Sequence, residues 1–325
     1  MEFGFNLPPT AQSWDPGRVA DVLIVGGGPA GLTAALYASR ARLSVLVLEG
    51  GVIGGQAAIT DRVDNYPGFP QGIGGAELAK QMEDQARKFG AVIASDMAQK
   101  VRDGDGLYAV KGYDVEYKAR TIIAASGAEY KKLGVPGEAE NIGRGVSFCA
   151  TCDAPFFRDQ KVAVIGGGDS AVKEALFLTK FASEVYIVHR RDALRAEKVT
   201  QEEALNNPKI KFIWDTIPIA VKGRQGVTAI ALKGVKDGSV CDLEVGGIFV
   251  FIGMKPRSEY VQGLVNMDEW GYIVTDEAMA TSCKGIFAAG DVRQKTLRQV
   301  ATAVGDGATA AFSAEKYIEE TVHGT

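Results

Sequence analysis

Cys149 and Cys152 stand three residues apart, with Asp153 directly after them. Two thiols at that spacing can close to a disulfide and reopen, taking up two electrons in the process. A short way downstream an apolar run over 161–165 opens the turn Gly166-Gly167-Gly168-Asp169-Ser170-Ala171, a pattern that suits a nicotinamide nucleotide. A reduced nicotinamide delivers a two-electron hydride, and a flavin is the usual mediator between it and a dithiol. Two other readings of the cysteine pair stand beside this one. A zinc site needs four ligands, and neither a second cysteine pair nor a nearby histidine is present. Two inert core cysteines would also account for the spacing. Asp153 is the nearest acid/base group for the proton that accompanies a hydride, and it could equally cap a helix. Cys241 and Cys283 read as structural or incidental thiols.

These groups require a scaffold, and the pattern of apolar runs supplies one twice. Residues 22–25 read as a buried strand, 32–42 as a helix and 44–48 as a second strand. Between strand and helix lies Gly26-x-Gly28-Pro29-Ala30-Gly31. In such a turn the first glycine turns tightly, the second lets backbone approach a diphosphate and the third lets helix and strand pack. Glu49 closes the next strand, where a carboxylate accepts hydrogen bonds from ribose hydroxyls and repels a 2′-phosphate, so FAD or NAD suits this turn. The same order recurs with a strand at 161–165, a helix at 170–181 and a strand at 185–188. At the position equivalent to Glu49 stands His189, followed by Arg190, Arg191 and Arg195. An acid has given way to cations, whose forked donors match a phosphate, so this turn should prefer NADPH to NADH. Taken alone, the arginines would read as a solvated charge cluster; their place at the ribose-reading position favours the phosphate.

Composition narrows the class. The chain has 325 residues, 46% hydrophobic and 23% charged, with a net charge of −4. That length favours two domains, and that charge gives no overall attraction to nucleic acid or anionic membrane. The first twenty residues show no basic segment followed by an apolar one, and no apolar run approaches membrane-span length, so a cytoplasmic protein is expected. Only two histidines, His189 and His323, are present, which leaves little material for a histidine triad or multi-histidine metal centre, and no metal is expected.

Together these motifs, with Gly54-Gly55-Gln56, Asn65-Tyr66-Pro67-Gly68, His189-Arg190-Arg191-Asp192 and Phe287-Ala288-Ala289-Gly290-Asp291 followed by Arg298-Gln299, resemble those of the low-molecular-weight thioredoxin reductases, flavoprotein disulfide reductases with two dinucleotide-binding domains. The resemblance spans about 21–318. It implies an α/β protein of two Rossmann-like three-layer domains, with an NADPH domain (131–257) inserted into a discontinuous FAD domain (21–130 and 258–325) after an N-terminal arm (1–20). It implies that Glu49 holds the adenosine ribose, that Gly55, Gln56, Asn65 and Gly127 lie at the FAD site, and that Gly290 and Asp291 meet the ribityl chain. Arg298, Gln299 and Val300 would border the isoalloxazine. Read without the resemblance, Asn65 simply favours a turn and Asp291 simply caps a helix.

The resemblance further implies that Cys152 faces the flavin, that Cys149 exchanges with thioredoxin and that Asp153 handles the proton, in a homodimer. Dithiol and nicotinamide then share one domain and take turns at one flavin, which requires rotation about crossings near 130–133 and 253–257. Three positions depart from the family's usual pattern: Ala154-Pro155 follows Asp153 in place of glycine and an aromatic residue, and Ser126 stands where threonine is common. A reductase of another small disulfide protein, peroxiredoxin or glutaredoxin-like, is the neighbouring reading. Dedicated peroxiredoxin reductases of this type carry a thioredoxin-like N-terminal extension, and the short arm is not one. A slow redox-sensing flavoprotein is the reading from another class, and the intact dithiol, Asp153 and arginine cluster count against it.

Overall fold

The computed structural model describes residues 14–15, 17–60, 62–104 and 106–322. It contains two compact units, Met1–Glu129 with Lys255–Thr325, and Tyr130–Met254. The chain therefore leaves the first unit and returns to it, crossing at 129/130 and 254/255 rather than at the expected 130/131 and 257/258. Most of the arm expected over 1–20 lies outside the described residues. Its last two residues already belong to the first strand, Val19–Val25, and Trp14 packs against the core with the Arg18 guanidinium 4.8 Å over its ring.

In the first unit, Val19–Val25 is flanked in parallel by Val45–Leu48 and by the long strand Glu116–Ala124. The far edge of Glu116–Ala124 is shared. Its first half pairs antiparallel with Tyr108–Lys111, and its second half pairs parallel with Ile286–Ala288. Alternate residues point to opposite faces, as the two-residue period of a strand requires. Leu23, Leu46 and Ile122 enter one core with Val101, Tyr108 and Val110 of the antiparallel segment. Val22, Ile24 and Val47 enter another with Ala30, Ala34 and Ala38 of helix Pro29–Arg40 and Ala310, Ala311 and Ala314 of helix Val300–Val322. Strands buried on both faces explain why the sequence shows continuous apolar runs here rather than alternation.

The second unit repeats the plan. Its parallel sheet runs Ile210–Ile213, Glu184–Val188, Lys161–Ile165, Gly247–Val250, Val146–Ser147. Helix Asp169–Leu178 covers one face, and the antiparallel strands Thr216–Lys222, Ala229–Gly234 and Val240–Glu244 cover the other. The architecture is α/β with two three-layer units, one inserted in the other. Strands 216–222 and 240–244 were not read from sequence. Val240–Glu244 buries no residue, so it carries no hydrophobic period and is held by its ladder to the neighbouring strand.

Candidate active site

Cys149 and Cys152 form a disulfide, with Cα atoms 5.3 Å apart. Cys149 is the N-cap of the one-turn helix Ala150–Asp153, and its Sγ accepts a hydrogen bond from the Cys152 N–H at 3.2 Å. A backbone N–H aimed at that sulfur stabilises negative charge on it when the disulfide opens. The turn is anchored by packing. Ala150 and Ala154 are buried in the same core as Ala171, Val172 and Ala175 of helix Asp169–Leu178. That helix begins at the second glycine turn, so the structure joins the dithiol and this turn through one packed helix pair. Asp153 is half-buried and ends the short helix, with its backbone N–H donating to the Cys149 carbonyl at 3.1 Å, and it stands at the N-cap position of the 3-10 turn Ala154–Phe157 without a side-chain capping bond. Phe156, just beyond, is 53% exposed.

At the second glycine turn a Cβ on Gly166 would press into Phe251 O at 2.5 Å, and one on Gly167 would meet His189 Nδ1 at 2.4 Å. Gly168 differs: its backbone is extended (φ −94°, ψ −179°), and a Cβ there would meet nothing within 4 Å. Nothing in the protein itself demands glycine at this point, which leaves the backbone of the turn open to close approach. The arginine loop is laced to the turn by two bonds, Arg195 N–H to Gly167 O at 2.7 Å and Glu197 N–H to Asp169 Oδ1 at 2.8 Å. Asp169 thus holds the loop, while Ser170 is exposed and Ala171 buried at the helix start. Arg190, Arg191 and Arg195 are exposed and make no ion pair among the described residues. His189 is buried at 4% exposure, edge-on to Trp214, with Nε2 lacking a partner. Burial, and then Arg195, Arg190 and Arg191, push its pKa below the ordinary value and so disfavour the charged ring. The sequence reading set His189 among cations; the structure leaves the charge to the arginines alone.

The first turn has the same anatomy. Gly26 sits at φ +107°, with Ala125 O 2.4 Å from an added Cβ, and Gly31 would meet Gly26 O at 1.9 Å, so both are glycine for the fold's sake. A Cβ on Gly28, again in an ordinary extended conformation, would meet nothing within 4 Å. Pro29 and Ala30 open helix Pro29–Arg40, whose free N–H groups suit a phosphate. Glu49 Oε2 accepts from Gly27 N–H and Oε1 from Gly51 N–H, both at 2.7 Å, fixing the carboxylate beside the turn with lone pairs left for hydroxyls. Gly54 N–H bonds Gly27 O at 2.7 Å, and Gly55 packs on Gly28, which brings exposed Gln56 to the same corner.

Farther along the chain, Asn65 Nδ2 donates to Gln299 Oε1 at 3.0 Å, joining two expected flavin residues from opposite ends of the sequence. Val300 starts the last helix and packs with Val63, Ile73 and Leu78. Gly127 has open space at its Cβ position, and its carbonyl accepts from Arg257 N–H. Gly290 abuts Ala30, whose Cβ would lie 2.8 Å from a Cβ added to the glycine, so Asp291 lies beside the first turn. Asp291 Oδ1 is buried and accepts no hydrogen bond, and burial raises its pKa. Arg298 stacks 4.3 Å over Tyr272 with its Nε also unpartnered. A buried carboxylate oxygen with no donor fits a ligand rich in hydroxyls.

Sequence reasoning missed the ion network behind Asp291. Asp306 accepts from Gly290 N–H at 3.0 Å, from Arg293 at 3.1 Å and from Lys295 at 2.6 Å, with all three charged side chains largely buried. Its signal was an aspartate between two glycines in the otherwise uncharged first half of the helix. Cys241 is exposed, and the Cys283 sulfur lies 3.5 Å from the Tyr108 hydroxyl. Among the described residues no group of three or more His, Cys, Asp or Glu could hold a metal, and no helix is long and apolar enough to cross a membrane.

The open cradles at Gly28 and Gly168, with the donorless Asp291 oxygen, fit two dinucleotides. The model of the pyridine nucleotide-disulphide oxidoreductase family matches residues 20–307. Thioredoxin reductases from Bacillus subtilis and Peptoclostridium litorale are 49% and 51% identical over 93% of this chain, covering 96% and 98% of those proteins. The crystal structure of thioredoxin reductase from Streptococcus pyogenes, 48% identical, covers 93% of this chain and 99% of its own with a TM-score of 0.89. The chain belongs to the pyridine nucleotide-disulphide oxidoreductase family, among its FAD- and NADPH-using thioredoxin reductases.

Proposed function

We propose that this chain reduces oxidised thioredoxin with NADPH, with FAD held by the unit containing Gly28 and Asp291, and NADPH by the unit of residues 130–254. One observation carries the reading: a closed Cys149–Cys152 disulfide packed on the helix that starts at an open, arginine-flanked glycine turn. When bound, FAD accepts a hydride from NADPH and passes two electrons to the disulfide. The chain's own residues do the rest. The free N–H groups at the starts of helices Pro29–Arg40 and Asp169–Leu178 hold the diphosphates, and Glu49 and Asp291 accept from hydroxyls. Arg190 and Arg191 carry the charge that a 2′-phosphate demands. Cys152 receives the electrons, Asp153 manages the proton, and Cys149, its sulfur facing the Cys152 N–H, attacks the partner's disulfide. The balance is one NADPH, one proton and one protein disulfide giving NADP⁺ and a dithiol.

Dithiol and NADPH turn belong to one unit and serve one flavin, so turnover requires movement at the crossings 129/130 and 254/255. The same reading includes a cytoplasmic homodimer. Pro155 beside the dithiol and exposed Phe156 alter the partner-facing surface, which favours testing other small disulfide proteins, such as peroxiredoxin and glutaredoxin-like substrates, in parallel. NADPH oxidation should depend on added oxidised thioredoxin and run far faster than with NADH. Equal oxidation with no disulfide protein present would refute the proposal.

A further inference from the structure

Asp291 and Lys295 lie within electrostatic reach of each other, yet Lys295 bonds Asp306 at 2.6 Å and Asp291 Oδ1 accepts nothing. Arg298 acts on Asp291 as well, and a buried lysine near a buried carboxylate oxygen that lacks a donor ordinarily closes on it, because both lose solvation otherwise. Here the lysine is held elsewhere. Asp306 takes Lys295 and Gly290 N–H on Oδ2 and Arg293 on Oδ1, from a helix whose Gly307 lies against Ala30 O, only 2.2 Å from an added Cβ. Arg293 is bound a second time, by Nε to Thr275 Oγ1 at 2.8 Å. Two cations and the backbone just before Asp291 are thus tied to one rigid acceptor.

We infer that Asp306 is a positioning residue that sequesters Lys295, so that the Asp291 carboxylate stays open for the hydroxyls of the flavin nucleotide. The inference rests on FAD occupying this unit. Removing the Asp306 charge frees Lys295 to close on Asp291, satisfying the oxygen that the ligand needs. A purely structural Asp306 would instead support the helix, whatever stands at 295.

The experiment titrates FAD into flavin-stripped full-length protein, following flavin fluorescence, with thermal unfolding of the stripped proteins alongside. Asp306→Asn should raise the FAD Kd about 10- to 100-fold, the loss of one charge-assisted bond. Lys295→Met alone should stay within about threefold of wild type. The double variant Asp306→Asn/Lys295→Met should recover most of the affinity lost by Asp306→Asn. A double variant as weak as Asp306→Asn, or wild-type affinity in Asp306→Asn, overturns the inference. Should Asp306→Asn not fold, the double variant decides by itself: near-wild-type affinity supports sequestration and weak binding refutes it. Wild-type protein that binds no FAD, or that binds it unaffected by Gly28→Ala, would instead fail the underlying assignment.

Discussion

Gly28→Ala separates glycine kept for a ligand from glycine kept for the fold. At Gly28 the backbone is ordinary (φ −76°) and the new methyl meets no protein atom within 4 Å. Losing glycine at a helix N-cap costs roughly 0.5–1 kcal/mol, and reduced freedom of the unfolded chain returns about 0.4–1 kcal/mol. The stripped protein should therefore unfold within about 2–4 °C of wild type. A bound diphosphate has no such latitude. Its oxygens must sit about 3 Å from the turn's N–H groups, where the methyl now projects, and losing one charge-assisted bond weakens binding about 10- to 100-fold. Gly31→Ala is the control: its methyl would lie 1.9 Å from Gly26 O, and overpacking of that kind costs about 1–3 kcal/mol or more. FAD titration and thermal melts of the stripped variants give both quantities. Wild-type FAD affinity in Gly28→Ala, or a melting loss in it as large as that of Gly31→Ala, would refute the reasoning.

Replacing Arg190 and Arg191 with glutamine should raise the NADPH KM about 10- to 100-fold while leaving the NADH KM nearly unchanged, since only NADPH carries the phosphate; steady-state kinetics with both nucleotides reads this, and equal effects would exclude phosphate recognition. Cys152→Ser should leave a bound flavin that NADPH still bleaches while disulfide turnover is abolished, and retained turnover would remove the dithiol from the path. Asp291→Asn should weaken FAD binding yet stabilise the stripped protein. Burial raises the Asp291 pKa in the folded state, so its ionisation destabilises the wild-type fold at neutral pH. The melting advantage of the variant should be present at pH 7 and vanish as the pH falls through the carboxylate range; an advantage that persists at low pH would have another cause.

Most of the fold was legible because strands buried on both faces leave continuous apolar runs, and both glycine turns follow such runs directly. The exposed strand Val240–Glu244 left no such trace.

The sequence by itself determined the chemistry available: a dithiol, two nucleotide turns, and a carboxylate at one ribose position against arginines at the other. These follow from residue type and local spacing, which a strand and the helix after it preserve. Only the tertiary structure decided which glycines the fold itself requires and which it leaves open, that His189 is buried with its pKa pushed down, that Asn65 meets Gln299, and that Asp306 holds Lys295 while Asp291 Oδ1 accepts no hydrogen bond. Each depends on burial or on contacts between distant segments, and a local pattern does not encode what surrounds a side chain once the chain has closed on itself.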